Sequence, residues 1–84
     1  MTTYTINTNE FKEALAQGEE FLLVLEDGRV YYQDVNSQAD DAEYSMVVDP
    51  TMYEDFDEVM MAQEVQDWNA IFAEMEKDIE VKLA

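Results

Sequence analysis

The sequence predicts one small α+β domain with the element order αβββαα, and three observations carry that prediction. A continuous apolar run, Phe21-Leu22-Leu23-Val24-Leu25, ends at Asp27-Gly28 and is followed by a second β-prone stretch, the pattern of a two-residue hairpin. Helix-start signals stand before two separate segments, at Asn7-Thr8-Asn9-Glu10 and at Asp49-Pro50. Hydrophobic residues fill 48% of the 84 positions, with only two Gly and one Pro, which is enough for a core and too much for a disordered acidic tail.

Each element has its own justification. Asn7 and Glu10 have capping-box spacing, although Thr8 or Asn9 can cap equally well. The helix that follows places Phe11, Ala14 and Leu15 on one face, and Gly18 supplies a left-handed stop. Phe21 to Leu25 is too short for an independent helix and reads as a strand covered on both faces. Asp27-Gly28 turns it, by a turn of the mirror-image type, into a second strand from about Arg29 to Val35. A polar loop, Asn36 to Glu43, leads to a third strand, Tyr44 to Val48, which closes an antiparallel meander.

Asp49 then caps, and Pro50 takes the first helical position, where its missing N–H is not needed. Met52, Phe56, Val59 and Met60 form one helical stripe; Met61, Val65, Trp68, Phe72, Met75 and Ile79 form a second that is out of phase with it. One straight helix over this length would be ~45 Å long, against a domain about 30 Å across. Two helices are therefore expected, divided near Met61 to Gln63. The end, Asp78 to Leu83, alternates polar and apolar residues and is either a short fourth strand or a frayed helix end.

Charge is the most unusual property of the chain. It has 21 acids against 4 bases, a formal net charge of -17, and no Lys or Arg from Val30 to Glu76. Ordinary solubility needs a net charge of roughly 2–8 in magnitude, and any excess works against the compact state through self-repulsion. Glu54/Glu58, Glu54/Asp57 and Asp55/Glu58 fall at helical neighbour spacings, where like charges each cost roughly 0.2–0.5 kcal/mol. Glu74 with Lys77 and Asp78 with Lys82 have the spacings of helical ion pairs, so the unusual acidity belongs to Asp34 through Asp67.

Several classes of chemistry find no residues to support them. With no Cys and no His, disulfides, thiolate nucleophiles, Cys/His zinc sites and imidazole catalysis are excluded. Asp34 to Asp40 echoes the opening of an EF-hand loop, but Ala39 replaces the turn Gly and Ser45 the bidentate Glu. No catalysis, no cofactor and no dedicated metal site are expected. The N-terminus lacks the pattern of a signal peptide and no run approaches the ~20 residues of a membrane span, so a cytoplasmic location is the expectation.

The collective excess points to the surface itself as the functional part, in imitation of a nucleic-acid backbone. Duplex DNA carries one charge per ~1.7 Å, so 17 charges correspond to about 29 Å of axis, the scale of the domain. The candidate partner-binding residues are Asp34, Asp40, Asp41, Glu43, Asp49, Glu54, Asp55, Asp57, Glu58, Glu64 and Asp67, each standing in for a phosphate oxygen pair. Trp68 and Phe72 read as core. One of Tyr31 and Tyr32 is expected to be exposed, adjacent Met60 and Met61 cannot both face the core, and Tyr4, Tyr44 and Tyr53 are placed among the acids.

In size, charge and order of elements the chain resembles the small acidic inhibitors encoded by phages and mobile elements: anti-CRISPR proteins, anti-restriction proteins and uracil-DNA glycosylase inhibitors. The αβββαα order with an acid-rich C-terminal half resembles that of an anti-CRISPR inhibitor of Cas9 that occupies the site reading the protospacer-adjacent motif. The resemblance includes no motif that aligns residue by residue. It implies a DNA mimic whose partner is a basic nucleic-acid-binding protein, a CRISPR effector first, with a restriction enzyme or DNA glycosylase behind. An acidic protein–protein module of antitoxin or regulatory type, or a halophilic domain, would share the composition.

Overall fold

The computed structural model describes residues 1–84 and is α+β. It contains strand β1 (Thr2–Ile6), helix α1 (Thr8–Ala16), strands β2 (Phe21–Glu26), β3 (Arg29–Asp34) and β4 (Tyr44–Val48), a 3₁₀ turn (Pro50–Tyr53), helix α2 (Glu58–Glu74) and strand β5 (Ile79–Leu83). The chain measures 31 × 29 × 20 Å with a radius of gyration of 12.3 Å.

The local signals are realised where chemistry is local. Asn7 caps α1, its side chain accepting from the Glu10 N–H at 3.1 Å, and Gly18 stands just past the end at φ +74°. Asp27 and Gly28 both have positive φ, 51° and 77°, as the mirror-image hairpin turn requires. Asp49 caps the 3₁₀ turn with Pro50 at its start.

The expected order αβββαα is corrected in three places. The molecule begins with a strand. In Thr-Thr-Tyr-Thr-Ile the alternation of buried Tyr4 and Ile6 with exposed Thr3 and Thr5, in β-branched and aromatic residues, is a strand signal. β1 pairs in parallel with β5, Thr2 opposite Ile79 through Ile6 opposite Leu83, so the two ends of the chain lie side by side. The short C-terminal strand, one of two alternatives from sequence, is the one adopted.

The second correction concerns the sheet, which is antiparallel and three-stranded but not a meander. Its order is β3-β2-β4. The reason was present in the composition of β2: a strand buried on both faces belongs at the centre, whereas a meander would have centred the strand carrying Arg29, Gln33 and Asp34. Asp34 pairs with Phe21 and Tyr44 with Leu25, so residues 35–43 must travel back along the sheet, about 14 Å at the rise of a strand.

The route of that segment follows from register. A two-residue turn makes Glu26 and Arg29 a hydrogen-bonded pair, so Leu22, Val24 and Glu26 bond towards β3, and Phe21, Leu23 and Leu25 towards β4. With L-residues this fixes the hand, and the right-handed crossover passes over the face of Leu22 and Val24. Those two residues are buried without joining the main core, which lies on the opposite face.

The third correction is that the C-terminal half holds one α-helix, not two. The chain breaks at Glu54–Asp57, upstream of the expected phase break, with Asp55 at φ +57° and Asp57 extended as the N-cap of α2. The break lets Tyr53 and Phe56 fold back onto Phe11, with ring centroids 5.9 and 5.5 Å away. Consequently the expected stripe dissolves: Met52 and Val59 are 74% and 77% exposed. The second stripe holds for Met61, Val65, Trp68 and Phe72, all buried, while Met75 is exposed and Ile79 is buried as part of β5.

α2 joins the two sheets. On one flank Asn69 donates to the Val81 carbonyl at 3.0 Å and accepts from the Val81 N–H at 2.8 Å, which satisfies the edge of β5. On the other flank Phe72 meets Tyr44 of β4 edge-on at 4.9 Å. Phe11 sits between the elements, touching the rings of Phe21, Tyr32, Tyr53, Phe56 and Trp68. Phe11→Ala is expected to destabilise the domain by about 3–5 kcal/mol in a denaturant melt, close to the total stability of a chain this size.

Candidate functional site

The acids are built into the surface in two ways, and the structure separates them. Six of the eleven candidates accept hydrogen bonds that shape the chain. Asp34 closes a turn on the Asn36 N–H at 2.8 Å, and Asp49 accepts from the Thr51 N–H and hydroxyl at 3.0 and 2.8 Å. Asp57 caps α2 by accepting from the Met60 N–H at 2.9 Å, where a carboxylate also meets the positive end of the helix dipole. Glu43 accepts from the Tyr4 hydroxyl at 2.6 Å, Glu64 from the Tyr53 hydroxyl at 3.2 Å, and Asp67 from the Gln63 side-chain amide at 3.0 Å. The other five, Asp40, Asp41, Glu54, Asp55 and Glu58, are exposed and accept no protein hydrogen bond.

None of the eleven is paired with a base. The two ion pairs join the N-terminal ammonium to Asp78 at 3.1 Å and Lys82 to Glu80 at 3.3 Å. The second is a same-face pair on strand β5, so the helical pairings expected of Asp78–Lys82 and Glu74–Lys77 are replaced. Lys77 instead donates to the Glu43 carbonyl at 3.2 Å and lies over the Tyr44 ring.

Topology distributes the eleven rather than gathering them. Asp40 and Asp41 lie in the crossover segment, and Glu43 enters β4 beside the hairpin end of the sheet. Asp34 and Asp49 stand at the opposite end, next to Phe21 in register, with Glu54, Asp55, Asp57 and Glu58 following. Glu64 and Asp67 belong to α2. No three carboxylates converge closely enough to chelate one cation.

Counting along the chain missed Glu19 and Glu20, which lie outside the base-free run. They immediately precede Phe21, whose strand partner is Asp34, and with Asp34, Gln17 and Gln33 they line a depression of about 230 Å³. A register argument from the hairpin would have found them.

The tyrosines are structural. Tyr4 is buried and reaches the acids only through its hydroxyl, Tyr53 and Tyr44 are half-buried, and both Tyr31 and Tyr32 are half-buried, against the expectation of one exposed ring. Of the two adjacent methionines, Met61 is buried and Met60 is turned to the surface. Burial, with Glu43 beside it, pushes the Tyr4 hydroxyl up to about 12. Burial likewise raises Tyr32, near Glu10, and Tyr53, near Glu64, to about 12. The Tyr32 hydroxyl is buried without a partner.

Comparison with family models, with curated proteins and with solved structures finds no match for this chain. No helix is long and apolar enough to cross a membrane.

Two expectations follow from this geometry. Asp57→Ala should cost about 1 kcal/mol through loss of the cap, whereas Asp57→Asn, which keeps the acceptor and loses the charge, should cost little; thermal melts of the pair separate capping from charge. The raised tyrosines bind protons that the unfolded chain releases near pH 10, so their contribution is complete below that value and is lost as pH rises towards about 12. Tyr32→Phe removes an unpartnered hydroxyl, so neutral-pH stability should be unchanged or higher and the alkaline loss shallower, read by melts across alkaline pH.

Proposed function

We propose that this protein is a non-enzymatic inhibitor that occupies the basic nucleic-acid-binding channel of a target enzyme and excludes DNA by competition. The target class the resemblance favours is a CRISPR effector. The observation that carries the reading is the unpaired charge: 21 acids against 4 bases, with both ion pairs confined to the two terminal strands and their approaches. Carboxylates turned to solvent with no internal cation are free to accept charge-assisted bonds from the Arg and Lys that line such a channel.

Scale supports the reading. The long dimensions of the domain are 31 and 29 Å, against the ~29 Å of duplex that carries 17 charges. Binding of this kind weakens with salt, with a shallower slope than DNA binding, because a globular surface condenses fewer counterions than a duplex. The spread of the acids over the crossover, the 3₁₀–α2 link and α2 favours a second reading, an acidic protein–protein module without DNA mimicry.

Reciprocal competition separates the two. A binding protein recovered from bacterial lysate at low salt should be a nucleic-acid-binding protein, and DNA should displace this chain from it. A partner that holds DNA and this chain together at unchanged affinities removes the mimicry. The triple variant Asp40→Lys, Asp41→Lys, Glu54→Lys touches no hydrogen bond of the fold and should weaken inhibition by about tenfold or more with the melt intact. Unimpaired inhibition would place the contact elsewhere on the surface.

A further inference from the structure

The strand edges of this molecule are not treated alike. The edge of β5 is satisfied by Asn69, which both donates to and accepts from Val81. β3 carries Arg29 and Asp34 at its ends and has β1 packed beside it. β4 is guarded only at its start, where Lys77 bonds the Glu43 carbonyl and lies over Tyr44. Its sequence, Tyr-Ser-Met-Val-Val, contains no charge and no proline, its register against β2 is unbroken, and no other strand pairs with it.

The register also says which groups are free. Tyr44, Met46 and Val48 bond inward to Leu25, Leu23 and Phe21, so Ser45 and Val47 turn their N–H and C=O groups outward. None of these four groups meets a partner elsewhere in the chain. Ser45 is exposed and Val47 is 57% exposed.

α2 runs along the core side of this strand. Phe72 against Tyr44, Lys77 against the Glu43 carbonyl, and Glu64 against Tyr53 tie α2 antiparallel to β4 and its following turn. The flank on the Glu64 side carries Asp67, Ile71 and Met75 at helical spacing, with Ile71 and Met75 42% and 49% exposed. Apolar side chains left in water beside unpaired backbone are the two halves of a strand-addition site.

We infer that the open edge of β4, beside the Ile71/Met75 flank of α2, docks an extended, Lys/Arg-bearing segment of the partner as an added strand. Charge selects the occupant. Glu43 and Asp49 stand at the two ends of the strand, with Lys77 bonded to the Glu43 carbonyl at one of them, and the net charge of -17 attracts a basic segment, most strongly towards the Asp49 end. A second copy of this chain is repelled: antiparallel pairing about Met46 sets Glu43 of one copy against Asp49 of the other, and each copy carries -17. The acids at the strand ends thus act against self-pairing while leaving the edge open to a basic strand. The inference rests on the proposed function only for the basic character of the partner.

The test uses the full chain and a synthetic peptide of alternating Lys and Val, at physiological ionic strength. Amide exchange at Ser45 and Val47 should slow by about tenfold or more on saturation. Val47→Pro removes an N–H that the fold does not use, so the melt should persist while peptide binding falls by about tenfold. Peptide binding with free exchange at Ser45 and Val47 overturns the inference. Protection of these amides that grows with protein concentration, without peptide, overturns it in favour of a second copy. If Val47→Pro leaves inhibition of the natural target intact while the Asp40/Asp41/Glu54 reversal abolishes it, strand addition fails and the proposed function stands. If the β4 amides are protected in the complex but DNA does not compete, mimicry fails and the docking edge stands.

Discussion

One apolar helix face has to cover two small sheets at once, and the rest of the structure depends on it. The β1–β5 pair has too few strands to hold a core alone, since isolated two-stranded pairs are marginal in water, and the β3-β2-β4 sheet offers it one apolar face to share. Met61, Val65, Trp68 and Phe72 supply the shared wall, with Asn69 closing the β5 edge and Phe11 filling the space towards the 3₁₀ turn. Because β1 and β5 are parallel and lie at opposite ends of the sequence, their pairing is the least local contact in the molecule. Such contacts form only after a large loop-closure entropy has been met.

Charge and core are kept apart. No charged residue is buried, so the net charge of -17 is carried wholly by the surface, where water and counterions moderate the repulsion. Part of that charge is also architecture. Asp49 and Asp57 hold the starts of the 3₁₀ turn and α2, and Glu43 and Glu64 accept hydrogen bonds from the hydroxyls of tyrosines whose rings pack inward. Asp40, Asp41, Glu54, Asp55 and Glu58 accept no hydrogen bond from the chain, and it is these that the proposed function uses. The same surface leaves one uncharged strand edge unpaired, between Glu43 with Lys77 at one end and Asp49 at the other.

Legibility followed the range of the interaction. The α1 cap, the Asp27-Gly28 turn, the bounds of β4 and the buried stripe of α2 could be read because each depends on residues within a few positions of one another. β1 was legible too, in the alternation of Tyr4 and Ile6, but such a short strand is convincing only once its distant partner is known. The candidate acids were legible as a population. Their division into shaping and free carboxylates was not, because it depends on which N–H or hydroxyl each one meets.

The sequence by itself determined that this is an acidic α+β fold, with the cap of its first helix, its hairpin turn and the buried stripe of its last helix. These follow from backbone preference and hydrophobic period, which act within a few residues. Only the tertiary structure decided that β2 is the central strand, that residues 35–43 cross the outer face, that the two ends of the chain pair, and that β4 keeps a free edge. Those outcomes are set by competition between distant segments for the same apolar surface and the same hydrogen-bonding edges, a competition that no short window of sequence contains.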